Sequence, residues 1–136
     1  ASGKVEKVID LGNSISASGV AFDAKRNRLF VASQGTDNLL IVDVASGKVL
    51  HDVPVGAGAL NVAFEPVSGL AYVTNRGAGT VTVVDSDGKV VGNLDGGTFP
   101  NHVREDGKGN VFAVNKSRGA EDPKGDRITR ITPARR

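Results

Sequence analysis

His51 and His102 are the two imidazoles in a chain of 136 residues, and cysteine is absent. Without cysteine there is no disulfide scaffold, thiolate zinc site, iron–sulfur cluster or cysteine nucleophile. Two histidines leave no His-rich metal site, and the Asp, Glu and Asn residues show no EF-hand-like spacing. The run GAGALN at Gly56–Asn61 and the pair Gly96-Gly97 are followed by no helical pattern, so neither is read as a phosphate cradle. No Gly-x-Ser-x-Gly elbow occurs, and no serine has the neighbours of a nucleophile. The expectation is therefore a chain with no catalytic residue, no metal and no cofactor.

The residues best suited to chemistry are those that can hold an anion. Net charge is +2, but residues 1–103 hold 8 Lys/Arg against 10 Asp/Glu, whereas residues 104–136 hold 9 against 5. A basic C-terminal third can present a surface to an anionic partner; the plainer reading is a solvated terminus. Within it, Lys116, Arg118 and Lys124 stand in one long run, KSRGAEDPKGD. Arg76 with Asn75, and Asn101 with His102, are the other polar pairs that follow or precede strand-like runs.

The elements that would position these residues come from an internal repeat, which has to be sought before any other reading of the fold. LFVASQGTDNLLIVDVASGKVL from Leu29 lies over AYVTNRGAGTVTVVDSDGKVV from Ala71. Phe30 meets Tyr72, Gly35 meets Gly77, Asp43 meets Asp85, and VAFD at Val20–Asp23 meets VAFE at Val62–Glu65. A weaker third copy places Phe112–Lys116 over Tyr72–Arg76. Five of the six aromatics thus occupy two repeated positions, Phe22/Phe64 and Phe30/Tyr72/Phe112, and only Phe99 is out of register. This periodicity predicts a packing role for Tyr72.

Each unit consists of short β-rich runs separated by turn residues, the pattern of an all-β protein. The second unit reads as strands near Leu60–Glu65, Leu70–Thr74, Val81–Asp85 and Val90–Leu94. Asp-Gly and Ser-Gly supply the turns, since glycine adopts positive φ, and Asp43 and Asp85 are read as turn residues. Four antiparallel strands per unit of about 40 residues is the blade of a β-propeller. The predicted organisation is one partial propeller over 1–136. An outer strand at 4–11 precedes blades at 17–55 and 60–94, and an incomplete last blade covers 98–136. In that last blade Val103-Arg104-Glu105 replaces VAF. Either His102, Arg104 and Glu105 form a polar channel wall, or the strand ends a residue early and leaves Glu105 in the turn; the second is preferred.

YVTN at Tyr72–Asn75, followed by RGAGTVTVVD and GKVV, resembles the YVTN family of β-propeller repeat proteins. The ending, from TFPNHV through FAVNK to RITRI, is similar to the C-terminal blades of the periplasmic seven-bladed members. The resemblance implies four-stranded antiparallel blades, about three here, belonging to a larger seven-bladed propeller. It also implies a periplasmic or secreted location, with no leader read at Ala1 and no apolar stretch long enough for membrane insertion.

Twelve expected strands make three blades if Lys4–Leu11 completes the last, and three blades cannot close a ring. The partners expected are the remaining blades of a parent protein, or self-association of copies into a ring. On the propeller map, Asn75, Arg76, Asn101, His102, Lys116, Arg118 and Lys124 share one rim. The function expected is a non-enzymatic binding or scaffold module. The alternatives are a lactonase-like or quinoprotein-associated propeller enzyme, and a weak binder of nucleic acid or another anion through the basic rim. Phe99 beside His102 offers the last of these only a small stacking platform.

Overall fold

The computed structural model describes residues 3–132, in eleven strands with no helix among them. Three antiparallel sheets follow one another along the chain. The first is β1 (Ala17–Asp23), β2 (Arg28–Ser33), β3 (Asn38–Asp43) and β4 (Val49–Pro54). The second is β5 (Ala59–Glu65), β6 (Leu70–Asn75), β7 (Thr80–Val84) and β8 (Val90–Asp95). The third has only β9 (Pro100–Glu105), β10 (Val111–Asn115) and β11 (Arg127–Ile131). Each sheet is a meander whose strands pair in chain order, which is the construction of a propeller blade.

Carboxylates set the turns. Asp43 Oδ2 accepts from Ser46 N and Oγ at 3.0 and 2.6 Å, and Asp85 Oδ1 accepts from Asp87 N and Lys89 N at 3.0 and 2.9 Å. Asp23, Glu65 and Asp106 do the same after β1, β5 and β9. These side chains take up backbone donors that a tight turn leaves unpaired. A register shift recurs near the start of each inner strand, at Ala17/Gly19 and Ala59/Asn61 and opposite Ala113/Asn115. Such bulges re-aim the side chains around them.

The core lies between sheets. Phe30, Leu39, Ile41 and Val53 of the first sheet pack against Val62, Phe64, Val73 and Val84 of the second. Phe30 and Phe64 stack with centroids 5.3 Å apart. Tyr72, Val81 and Val83 meet Val103, Val111 and Ala113 of the third sheet. Most of the repeated aromatics are thus inter-blade packing residues, which is why their spacing matches the repeat. Side chains also join neighbouring sheets: Ser18 Oγ on β1 donates to Leu60 O on β5 at 2.7 Å, and Thr74 Oγ1 on β6 donates to Asn101 O on β9 at 2.6 Å.

Two expectations are corrected here. Residues 4–11 form no strand; a strand needs a partner's N–H and C=O groups, and these residues enter none of the three sheets. They cross the outer face of the first sheet, where Ile9 and Leu11 pack on the cluster of Val31, Leu40 and Val42, and Lys7 Nζ donates to Val44 O and Ala45 O. Lys7 and Ile9 lie over Gly47, and Gly35 N donates to Ile15 O. The second correction concerns Glu105, which is the last residue of β9, pairs with Val111 and is not left in the turn. It stands where Phe22 and Phe64 stand and is half-buried, with Oε2 accepting from Gly107 N. Residues 133–136 of the last expected blade, with Arg135 and Arg136, lie outside the described residues.

Candidate functional site

The inner strands β1, β5 and β9 lie side by side and line an open groove of about 660 Å³. At one level across the three blades stand Gly19, Asn61 and His102. A Cβ at Gly19 would come within 2.6 Å of Asn61 Cα, so only glycine permits this approach. Asn61 Nδ2 in turn lies 3.2 Å from His102 Nδ1. Arg104 and Glu105 also line the groove, so His102, Arg104 and Glu105 share the wall considered from sequence.

The rim above the groove is built from a motif that occurs three times. Just before each inner strand the backbone turns left-handed, at Ser16 (φ 58°), Gly58 (φ 72°) and Phe99 (φ 41°). The carbonyl of that residue accepts from the start of the loop after the blade's second strand. The pairs are Gln34 N to Ser16 O, Arg76 N to Gly58 O and Lys116 N to Phe99 O, at 3.0, 2.9 and 3.0 Å. The other non-glycine residues with positive φ are Asn27, Asp37 and Asp126. Among the described residues only Phe99 brings a large side chain into this conformation, which costs an L-residue about 1–2 kcal/mol.

Both neighbouring loops reach Phe99. Arg76 Cζ lies 4.6 Å from the centroid of its ring and Arg118 Cζ lies 5.1 Å away. Arg76 comes from the second blade and Arg118 from the third, so the contact spans the blade boundary. Each such contact contributes about 0.5–1 kcal/mol at an exposed site. The ion pair found among the described residues is Arg26–Asp23; neither Arg76 nor Arg118 has a carboxylate or a side-chain acceptor there.

Arg118 belongs to the long loop between β10 and β11, residues 116–126, whose counterparts at 34–37 and 76–79 have four residues each. The loop is pinched at its neck. A Cβ at Gly125 would come within 2.4 Å of Ser117 Cα, and Asp126 Oδ1 accepts from Ser117 N. Asp122 is likewise turned onto the loop's own main chain: it accepts from Arg118 N at 2.9 Å and Lys124 N at 3.0 Å. The Arg118 amide, then the Lys124 amide and the Arg118 charge, hold the Asp122 carboxyl below its ordinary value against some desolvation. Asp122 therefore stays ionised and tempers the local field without pairing with the guanidinium.

The residues predicted for this rim do not all face a ligand. Asn75 is fully buried; its Nδ2 donates to Thr80 and Thr82 hydroxyls, and its Oδ1 has no partner. Its counterpart Asn115 donates to Gly96 O and Thr98 O and accepts from Thr129. These asparagines tie the end of the second strand to its neighbours, a structural task. Asn101 is half-buried and engaged by Thr74 through its carbonyl, while His102 is exposed on the groove. Lys116 and Lys124 are exposed, and their side chains bond to no described residue. The convergence on Phe99 is what sequence reading missed, although the loss of register at this one aromatic was its signal.

No family model matches the chain. It is 30% identical over 131 residues to YncE of Salmonella typhimurium, described as uncharacterized, and 30% identical over 131 residues to YncE of Salmonella typhi. Both alignments cover 93% of this chain and 37% of the relative, so the chain spans little more than a third of the length of the curated relatives it matches. Among solved structures, hydrazine synthase of Kuenenia stuttgartiensis is similar with a TM-score of 0.69 at 18% identity, over 82% of this chain and 32% of that one. Identity at this level speaks to the fold alone. With three successive meander sheets packed face to face and this structural likeness, the chain is an all-β protein built of β-propeller blades.

Proposed function

We propose that the chain is a YVTN-type set of three blades within a larger ring, acting outside the cytoplasm as a non-enzymatic binding module for anionic partners. Further blades, from a parent protein or a second copy, cover its end faces. The observation that carries the reading is the convergence of Arg76 and Arg118, from different blades, on one side chain of the rim. Lys116 in the same loop adds charge beside them. Weak attraction with little sequence selectivity follows from such a surface, because few contacts are made and Asp122 tempers them.

A polyanion held by about three basic side chains loses affinity steeply as salt rises, since counterion release scales with the phosphates neutralised. Titrating an unphosphorylated oligothymidine at two salt concentrations tests this. The expected result is salt-dependent binding that weakens when Lys116→Ala and Arg118→Ala are combined. Equal binding by the parent chain and this double variant would remove the rim from consideration.

A further inference from the structure

We infer that Arg76, Phe99 and Arg118 form a clamp for a dianionic phosphate group, a phosphate monoester or inorganic phosphate. The inference rests on the rim reading above and specifies its ligand. Three observations combine in it. Phe99 stands at a position that Ser16 and Gly58 fill in the other blades, in a left-handed conformation unfavourable to a bulky side chain. Strain of this kind persists where the surrounding structure over-determines it, and it concentrates at ligand sites. The ring in turn holds two guanidiniums that repel each other, both within 5.1 Å of its centroid. Finally, the side chains of Arg76 and Arg118 donate to no described residue, so their N–H groups remain to be satisfied by solvent or ligand.

The ligand class follows from charge and shape. Two fixed positive charges match a group carrying about −1.5 to −2, as a phosphate monoester does near neutral pH. A carboxylate or one backbone phosphodiester carries a single charge and leaves the second guanidinium uncompensated. Guanidinium donors form a planar fork suited to phosphate oxygens, a geometry that lysine lacks. Two guanidiniums already lie against the ring, where they compete with a stacked nucleobase. Phe99 is a positioning residue: its ring holds both arginines.

The test compares phenyl phosphate, inorganic phosphate and acetate by calorimetry on the parent chain, on Phe99→Gly, and on Arg76→Lys combined with Arg118→Lys. Both phosphates should bind one per chain, about tenfold or more tighter than acetate, and the lysine variant should lose that margin while keeping its charge. Phe99→Gly should lose it too, yet melt close to the parent temperature, because relief of the left-handed strain offsets the two lost ring contacts. That divergence separates a clamp from a packing residue. If Phe99→Gly does not fold, the lysine variant decides alone. Phosphates binding no better than acetate, or unchanged in the lysine variant, would overturn the clamp. In that event salt-dependent oligothymidine binding that still needs Lys116 and Arg118 would leave the rim reading standing, whereas no binding of either probe would overturn both.

Discussion

At the scale of single residues, repeated position predicted role better than residue type did. Tyr72 carries a hydroxyl that could do chemistry, but it falls on Phe30 and Phe112 in the repeat, and it is 3% exposed. It packs among Val103, Val111 and Ala113, and burial raises its pKa above the ordinary tyrosine value. Tyr72→Phe should cost no more than about one hydrogen bond, roughly 1 kcal/mol, whereas Tyr72→Ala should cost about 3–5 kcal/mol. Chemical denaturation of both variants checks this, and a large loss for Tyr72→Phe would give the hydroxyl a role of its own. Asn75 shows the opposite failing. Its polar amide beside Arg76 looked like a ligand contact, but strand alternation points it inward, where Thr80 and Thr82 accept its protons. Sequence patterning alone does not separate a polar side chain buried in a network from one facing a ligand.

At the scale of elements, the strands were legible because glycine, aspartate and short apolar runs punctuate them in the same order in each unit. The β10–β11 loop was legible only as an enlargement. Where Arg118 lands depends on the loop's neck, a backbone contact that no composition encodes. Gly125→Ala tests the neck: with Ser117 Cα 2.4 Å from the new methyl carbon, the loop must open. The expected outcome is a folded protein whose melting temperature changes little, since residues 116–126 add almost nothing to the buried core, together with loss of rim binding. Retained binding would show that Arg118 reaches its partner without a fixed loop. Glu105 belongs to this scale as well. Its charge argued against a strand interior, yet it ends β9 because its carboxylate reaches the Gly107 amide from there.

At the scale of the whole molecule, three blades leave two ends. Val20 and Phe22 of the first sheet are 63% and 52% exposed, and Val114 and Ile128 of the third are 47% and 70% exposed. Ile9 and Leu11 cover part of the first face, and among the described residues no strand pairs with β11 on its far side. Monomers rarely tolerate large uncovered apolar faces, which supports the central proposal that this chain is an arc of a larger ring. Small-angle scattering of the purified chain over a concentration series tests it most directly. The account predicts an elongated or associating particle whose apparent mass rises with concentration. A compact particle of 14.0 kDa at every concentration would contradict it.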